Sequence, residues 1–475
     1  MKNKIIIFIL PFLFISHLLI SQTPESEAHL SNTNNTYHSQ IIQHYKGNTS
    51  VVLSRLSNGV YRFELVESNN PNWHYVDFPL NFIIRDFKIL GDTVYFCGKD
   101  GNGGFIAYVN INDLFNATSQ NNYGRISHIP HITSLNKIIT YYQDNLPGRV
   151  KVCAIGEVYE VYYQPPLYYN CMVELNINFP NPNSPPYNFY SVFRCFYDSS
   201  QEEIFDFKLT DNYIAVLSVN KISFFNGGYN FYYLRRLEKY NFFHQHTNRF
   251  FSDNLPFVGG LDNNFLIEYI NRDKIILSYP AVLNPFTPIY VNVIHKIDMQ
   301  NSLFSPVFTL LFDDQNDIIK INDIKYDYNL DKFLLLKESI VSTGKKEDVL
   351  WYIDNFQAPH TARELNIPNF VFNTNSIYFS SLSKRDNHFY RIAGSDGNGK
   401  LAYYNKNIDD FNKGSNCNFY DFKPVHEGEM PVNYLDDFFN MKYTLPPLTT
   451  PIVFEYNLSI PVFNVSNSQN ECISY

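Results

Sequence analysis

Short apolar runs separated by turn-forming residues make up most of this chain. Three of the clearest are Val94–Cys97, Ile214–Val219 and Phe333–Leu336. Each is too short for a helix and is rich in the β-branched, aromatic and aliphatic residues that buried strands use. Each also follows a segment with a shared pattern of an acid and a lysine two residues apart, found at Arg85–Ile89, Phe205–Leu209 and Asn322–Tyr326. The pattern predicts a β protein with internal repetition.

Two distant segments repeat one unit, which reads as strand, glycine-rich hairpin, strand and closing turn. The hairpins are Asp100-Gly101-Asn102-Gly103 and Asp396-Gly397-Asn398-Gly399, and their glycines supply the positive φ angles that tight turns need. Weaker copies of the closing strand recur roughly every 60 residues, a period typical of propellers, solenoids and other arrays. These copies lie at 172–176, 231–236, 293–298 and 350–356.

The repeat predicts an all-β fold, a β-propeller over residues 41–464. A sheet of three or four strands buries its faces only against its neighbours, and all-β units of this length usually achieve this by closing into a ring. Further strands at 61–65 and 453–456 lie at the two ends of the series, and the repeat units that contain them look incomplete. We therefore expect strands from the two ends of the chain to share one blade, which favours seven blades over eight. Two packed β-sandwiches or an irregular solenoid are the alternatives.

Composition supports a folded β protein and disfavours nucleic acid as a partner. Among the 475 residues, 45% are hydrophobic, 17% aromatic and 17% charged, which gives enough apolar material for a core and argues against disorder. Acids outnumber bases by 46 to 37, for a formal net charge of −9. This is the wrong sign for tracking a phosphate backbone.

The first 21 residues indicate export. Lys2 and Lys4 precede an apolar run that is shorter than the roughly 20 residues of a spanning helix, and the run ends just before Gln22, as in a cleavable signal peptide. We expect residues 22–40 to be a flexible leader and 465–475 a C-terminal tail. The mature chain is then secreted or located in the periplasm or cell envelope, with no transmembrane segment and as a monomer.

Six cysteines remain after the predicted cleavage: Cys97, Cys153, Cys171, Cys195, Cys417 and Cys472. An exported chain permits disulfides, but six cysteines in a chain of this length do not form a disulfide scaffold. Cys153 and Cys171 are the best candidates for a pair, because a proline-containing loop joins their two strand-like runs. The alternative is that most of the six are buried free thiols.

The sequence gives no catalytic, cofactor-binding or metal-binding residue to which we assign a role. The nucleophile-elbow, zinc-protease and phosphate-loop motifs are absent. His244 and His246 have strand spacing suited to a metal, but no carboxylate or cysteine lies close by in sequence, and the alternative is a histidine pair in a loop or at a strand end. The two Asp-Gly-Asn-Gly loops could be read as calcium loops, but they lack the third acid and the distant Glu, and turn chemistry explains their glycines. A run of acids before a strand could bind an ion, but such runs are more often solvated surfaces. Its members are Asp313, Asp314, Asp317 and Asp323.

Aromatic clusters give the clearest hint of function. Exposed tyrosines and phenylalanines stack on sugars or anchor protein partners, although the same residues also fill the wedge between blades. The clusters comprise Tyr159, Tyr162, Tyr163, Tyr168, Tyr169, Tyr229, Phe231, Tyr232, Tyr233, Tyr240, Phe242 and Phe243.

Three features together resemble the uncharacterised secreted propeller-like proteins of Bacteroidota bacteria. They are the signal peptide ending before Gln22, the Asp-Phe-Lys-Ile to Val-Tyr-Phe-Cys-Gly run at 86–98, and the Gly-Gly-Phe-Ile-Ala-Tyr-Val-Asn-Ile strand at 103–111. The specific motif is confined to about residues 86–111. The resemblance implies export and a propeller-like fold, with no established reaction.

These observations favour an exported, non-catalytic binding protein whose propeller-face loops contact a glycan or a cell-surface protein. Two alternatives remain. One is a secreted glycoside hydrolase or lyase, which needs acidic or histidine side chains converging at the propeller channel. The other is a structural component of the envelope.

Overall fold

The computed structural model describes most of the chain between residues 26 and 474. The described residues are 26–31, 36–67, 70, 72–115, 124–129, 132–143, 149–160, 167–178, 187–194, 202–220, 231–239, 247–252, 266–282, 290–298, 309–311, 318–327, 332–340, 346–354, 361–366, 377–385, 389–396, 399–407, 419–424, 426–428, 433–435, 452–454, 456–458 and 463–474.

The described residues are almost entirely β, as predicted. After an initial strand, the first half of the chain forms groups of four successive strands. In order these are β1 (Ser26–Ser31); β2 (Tyr37–His44), β3 (Thr49–Leu56), β4 (Tyr61–Glu67) and β5 (Asn72–Asp77); β6 (Ile83–Leu90), β7 (Thr93–Asp100), β8 (Gly103–Asn110), the helical turn α1 (Ile111–Leu114) and β9 (Arg125–His128); β10 (Ile132–Tyr142), β11 (Arg149–Glu160), β12 (Leu167–Asn178) and β13 (Tyr187–Arg194); and β14 (Glu202–Leu209), β15 (Tyr213–Asn220), β16 (Phe231–Glu238) and β17 (Thr247–Ser252).

The second half continues in the same way and then changes to short strands. The strands are β18 (Leu266–Asn271), β19 (Lys274–Val282), β20 (Tyr290–Asp298) and β21 (Thr309–Leu311); β22 (Ile318–Asp327), β23 (Lys332–Ile340), β24 (Lys346–Asp354) and β25 (Thr361–Asn366); β26 (Ile377–Lys384), β27 (Phe389–Asp396) and β28 (Leu401–Asn407); and finally β29 (Phe419–Pro424), β30 (His426–Gly428), β31 (Asn433–Leu435), β32 (Ile452–Phe454), β33 (Tyr456–Asn457) and β34 (Phe463–Ser474).

The groups are antiparallel sheets arranged in a ring, which is the predicted β-propeller. The first strand of each group contacts the first strand of the next, in the closed cycle β2, β6, β10, β14, β18, β22, β26 and back to β2. In the fifth group, β18–β20 and β21 belong to separate sheets within the described residues. The number of complete blades therefore stays a prediction.

A C-terminal belt, defined as β29–β34, runs around the outside of the ring in reverse order. β29 pairs with β25, β30 with β21, β31 with β17, β32 with β13 and β33 with β9. The last strand, β34, pairs with both β5 and β1 and so joins the first and last groups into one nine-stranded sheet. Added strands of this kind cover backbone edges that would otherwise be open to aggregation.

The ends of the chain differ from the sequence expectation. Residues 22–40, expected to be a flexible leader, contain β1 and the start of β2, and the expected tail 465–475 lies mostly in β34. β1 is the fourth strand of the last group, between β28 and β34. Strand pairing uses backbone groups, so β1 needs no apolar period to be recruited.

The termini do share a sheet, as expected, but the strand near 453–456 does not begin a further blade. Its residues form β32 and β33 in the belt. At the other end, the run at 61–65 lies in β4, the third strand of a complete first group.

The core lies in the wedges between neighbouring groups. Between the first two groups, the Phe63 ring makes edge-to-face contacts with the rings of Phe87 at 5.2 Å and Phe96 at 5.5 Å between centroids. Separate buried clusters join the second group to the third, the third to the fourth, and the first to the last. Each group thus buries its faces only against its neighbours.

Cys153 and Cys171, the predicted disulfide pair, are both buried free thiols. Cys153 lies opposite Glu174 on the next strand, whereas Cys171 lies opposite Gly156. The two side chains belong to different core clusters on opposite faces of the sheet, so the predicted pairing is wrong. Cys97 is also a buried free thiol.

The glycine-rich hairpins confirm the predicted turn chemistry. Gly103 and Gly399, the fourth residues of the two Asp-Gly-Asn-Gly loops, have φ angles of 117° and 81°. The Asp100 carboxylate accepts a hydrogen bond from the Asn102 N–H at 2.8 Å. The second loop uses the same position for its left-handed residue, as expected of two copies of one unit.

A β-bulge in the first strand of several groups brings two backbones very close together. In the second group the register shifts between Ile84 and Asp86, and Gly98 on β7 lies opposite Ile84. A Cβ atom at Gly98 would overlap the carbonyl oxygen of Ile83. Only glycine permits this approach, and the bulge it allows aims Asp86 at the next group.

We expect Gly98→Ala to lower the free energy of unfolding by about 1–3 kcal/mol, because the backbone must shift to accept the methyl group. Gly101→Ala is the matched control, since nothing lies within 4 Å of a Cβ atom there. Urea denaturation of both variants measures the difference. Equal stabilities for the two variants would contradict the proposed close approach.

Candidate functional site

Charged side chains from five successive first strands converge at the middle of the ring. We call them the axial cluster: Asp86 and Lys88 on β6, Lys137 on β10, Asp206 and Lys208 on β14, Glu268 on β18, and Asp323 and Lys325 on β22. Burial lowers the pKa of Lys137, but the carboxylates of Asp206, Asp86 and Asp323 outweigh it and leave the pKa raised. Lys137 therefore lies within electrostatic reach of carboxylates from three other first strands, which places these four side chains on the inner side of the ring.

Three aspartates of this cluster each fasten their own group to the group that follows it. Asp86 Oδ1 accepts the N–H of Phe87 at 2.9 Å, and its Oδ2 accepts the N–H of Ile138 in the following group at 3.0 Å. We call Asp86, Asp206 and Asp323 the interblade aspartates, because the other two repeat this geometry.

The repetition of this contact is close. Asp206 Oδ1 accepts the Phe207 N–H at 2.9 Å and its Oδ2 accepts the Ile267 N–H at 3.3 Å. Asp323 Oδ1 accepts the Ile324 N–H at 2.9 Å and its Oδ2 accepts the Leu382 N–H at 2.7 Å. The shared sequence pattern of an acid with a lysine two residues later therefore marks a joint between blades.

The lysines neutralise the buried acids. Lys88 Nζ donates to Asp86 Oδ1 at 3.2 Å. Lys325 Nζ donates to Asp323 Oδ1 and to Glu268 Oε2, both at 3.1 Å, and Lys208 Nζ reaches the same Glu268 oxygen at 3.2 Å. Four lysines face four acids, so the cluster compensates its own charge.

The axial acids are poorly suited to acid–base catalysis. Burial raises the pKa of Asp323, but the Lys325 ammonium and the Leu382 N–H outweigh this and hold it below its usual value. A glycosidase acid needs the opposite, a pKa raised toward neutrality. Each carboxylate of the cluster already accepts hydrogen bonds from the backbone, from lysine or from both.

Among the described residues, a carboxyl group whose pKa is raised to near neutrality lies elsewhere, between the first and last groups. Glu64 is fully buried, and burial raises its pKa to about 7. Its Oε1 accepts a hydrogen bond from the Tyr37 hydroxyl at 2.9 Å, while Oε2 has no hydrogen-bond partner among the described residues. The neighbouring Arg62 makes two hydrogen bonds to Asp77, at 2.5 and 2.8 Å, and its Nη1 lies 3.8 Å from Glu64 Oε1. The Arg62 charge lowers the pKa of Glu64, but burial outweighs it.

A surface pocket lies where the fourth and fifth groups meet. We call it the turn pocket; its volume is about 530 Å³, and it is lined by Asp211, Tyr269, Ile270, Asn271, Arg272 and Lys274. It is formed by the turn between β14 and β15 and the turn between β18 and β19. Arg272 has a φ of 48° and is the sole described non-glycine residue with a positive φ.

Hydrogen bonds tie the two turns of the pocket together. The Asp211 N–H donates to Arg272 O at 3.0 Å, and the Tyr269 hydroxyl donates to Asp211 Oδ1 at 2.8 Å. The buried Asp273 carboxylate accepts from the Thr210 hydroxyl at 2.9 Å and from both nitrogens of Asn212 at 2.9 and 2.8 Å. The pocket is therefore pre-formed, which lowers the cost of ordering it around a ligand.

Of the candidate site residues predicted from the sequence, the structure describes only some. His244, His246, Asp313, Asp314 and Asp317 lie outside the described residues, as do the side chains of the aromatic clusters. In the first Asp-Gly-Asn-Gly loop, Asp100 Oδ2 lies 2.8 Å from His128 Nε2. The Asp100 carboxylate therefore contacts both the backbone of its own turn and the His128 imidazole. No group of three or more potential metal ligands occurs among the described residues.

Asp323 belongs to the axial cluster rather than to a solvated acidic surface. The recurring acid and lysine pairs are visible in the sequence as marks of the repeat, which by themselves indicate no function. Lys137, Glu268 and the turn pocket carry no motif, so the sequence gives no signal for them.

Burial raises the pKa of the Cys97 and Cys153 thiols well above the usual value, which makes them unreactive as nucleophiles.

Within the described part of the chain, no helix has the length and apolar character needed to cross a membrane.

No protein-family model and no curated protein sequence matches this chain. Solved structures show distant similarity. The NanB sialidase from Streptococcus pneumoniae is 9% identical, with a TM-score of 0.39 over 80% of this chain and 70% of that one. The Bombyx mori GH32 β-fructofuranosidase BmSUC1 is 9% identical, with a TM-score of 0.30 over 86% and 97%. Drosophila Plexin A, solved in complex with Semaphorin 1b, is 8% identical, with a TM-score of 0.28 over 80% and 88%. These similarities concern the fold alone.

We expect Asp86→Ala to lower the free energy of unfolding by about 3 kcal/mol. The change strands two buried backbone N–H groups and leaves the Lys88 ammonium without its carboxylate. Asp86→Asn should recover part of the loss, because its amide oxygen still accepts one hydrogen bond. Urea denaturation checks this, with the exposed Glu157→Ala as control; a loss below about 0.5 kcal/mol for Asp86→Ala would contradict the joint.

Glu64→Gln should change how stability depends on pH. The folded pKa of Glu64 is about 7, raised from 4.5. The folded state therefore keeps a proton that the unfolded state has lost between these values, and its stability falls as pH rises through this window. Glutamine cannot ionise, so the free energy of unfolding of the variant should rise relative to that of the wild type as the pH increases from 5 to 8, by on the order of 3 kcal/mol.

Denaturation at several pH values measures this gain, with Glu157→Gln as a control for the loss of an exposed acid. A difference between Glu64→Gln and wild type that stays constant from pH 5 to 8 would show that Glu64 does not titrate in the folded protein.

Proposed function

We propose that this chain is an exported, non-catalytic binding protein whose propeller-face loops contact a glycan or a protein. The observation that carries the proposal is the occupation of the axial acids. Each interblade aspartate uses both carboxylate oxygens on backbone N–H groups of two adjacent blades. Acids that hold the ring together in this way are not available to transfer protons to a substrate.

The turn pocket supports a binding role at the surface. It is concave and rigid, and it combines an aromatic side chain, an acid and two bases on turns fastened to each other. A rigid scaffold that presents varied loops is a common arrangement for recognition.

The alternative is a secreted glycoside hydrolase or lyase working at the ring axis. The convergence of four acids there is the observation that favours it. Against it stand the lysine and backbone partners of those acids and the lowered pKa of Asp323.

Export rests on the pattern of residues 1–21 and on the resemblance to secreted propeller-like proteins of Bacteroidota. Cleavage before Gln22 would remove none of the described strands, since β1 begins at Ser26. N-terminal sequencing of protein recovered from the periplasm or medium is expected to give Gln22 as the first residue.

Incubation of the purified protein with neutral and acidic polysaccharides should give binding without new products. Affinity electrophoresis or calorimetry reports binding, and chromatography of the recovered glycan reports cleavage. Pull-downs from envelope fractions test the protein-partner version of the proposal. Turnover that disappears in Asp323→Asn, while that variant stays folded, would replace the binding role with hydrolysis at the axis.

A further inference from the structure

The two basic side chains of the turn pocket have no protein partner in the described part of the chain. Neither the Arg272 guanidinium nor the Lys274 ammonium makes a hydrogen bond or ion pair with a described residue. Arg272 is also exposed. A guanidinium fork and an ammonium placed beside one pocket are the donors that bind carboxylate or sulfate groups.

The backbone at Arg272 is strained for a residue with a side chain. Its φ of 48° favours glycine or asparagine at this turn position, and a long basic side chain gains nothing there in stability. Strain of this kind persists when surrounding contacts fix it, and here the Arg272 carbonyl is held by the Asp211 N–H at 3.0 Å. The strained position thus presents the guanidinium at the pocket.

Asp211 restricts what kind of anion fits. Its carboxylate lines the same pocket and is fixed by the Tyr269 hydroxyl at 2.8 Å, so a bare anion meets a like charge. A ligand needs hydroxyl or amine donors opposite Asp211 as well as an acid opposite Arg272 and Lys274. The lining carries one acid and two bases. Close by, Lys239 Nζ lies 3.3 Å from Asp211 O, and the buried Asp273 carboxylate is occupied by Thr210 and Asn212. Together these groups leave one net positive charge, which disfavours an amine and leaves hydroxyl groups as the donors.

From this arrangement we infer that the turn pocket binds an acidic saccharide, with a carboxylate or sulfate on Arg272 and Lys274 and ring hydroxyls on Asp211. The half-buried Tyr269 ring offers the apolar contact surface for a sugar ring. A volume of about 530 Å³ is in the range of small-ligand sites. The inference rests on the proposed binding function and specifies its ligand class and place.

The test uses the full mature chain and three probe sets: oligouronates, sulfated oligosaccharides and neutral oligosaccharides of equal length. Arg272→Gly is the central variant, because glycine relieves the positive φ while it removes the charge. Its stability should equal or exceed that of the wild type, whereas its affinity for the acidic probes should fall at least about tenfold. Lys274→Gln should also weaken binding.

Arg55→Gln is the matched control, because it removes one positive charge at an exposed position on β3. It should leave the affinity unchanged. The probe set that binds distinguishes carboxylate from sulfate as the source of the acid.

Three results would overturn the inference and leave the binding function standing. They are tighter binding of neutral probes than of acidic ones, acidic-probe affinities that are equal in wild type and Arg272→Gly, and capture of an acidic peptide in preference to every saccharide. Cleavage of a probe would instead overturn the proposed function, so the two failures are distinguishable.

Discussion

The hydrogen bond from one blade's aspartate to the next blade's backbone is the contact on which this ring depends. Covalent structure alone constrains the relative orientation of two propeller blades only weakly, because a loop is all that connects them. Apolar wedges supply most of the attraction but are non-directional. The interblade aspartates add direction, because a carboxylate meets a single N–H at 2.7 to 3.3 Å. The second, fourth and sixth groups each hold the group that follows.

The same contact explains the charge at the axis. A carboxylate buried to serve two backbone donors must also be neutralised, or its desolvation would cost more than the hydrogen bonds return. Lysines from the same and neighbouring strands do this, and they place four positive charges at the middle of the molecule. The axial cluster resembles the group of acids in an enzyme, but its aspartates are there because they join neighbouring β-sheets. Between the last and first groups, Ser381 Oγ accepts the Ile42 N–H at 3.3 Å, so a neutral hydroxyl replaces the acid there.

The sequence predicted the parts of this structure that repeat. The closing strands near 176, 236, 298 and 354 and the acid and lysine marks recur, and recurrence is visible without coordinates. The partners of those marks are backbone N–H groups 52 to 61 residues away, and a backbone donor has no sequence signature. β1 and the belt were missed for a related reason, because main-chain pairing recruits them without an apolar period. Arg272 occupies a turn position where glycine or asparagine is typical, so nothing in its neighbourhood suggested a site.

The belt also fixes the order in which the molecule can be completed. β1 is synthesised first, yet its two neighbours are β28 and β34, which come from residues 401–407 and 463–474. Almost the entire polypeptide must emerge before the opening strand has either companion. A chain interrupted before residue 463 lacks β34, the strand that pairs with both β5 and β1 and joins their two groups into one sheet.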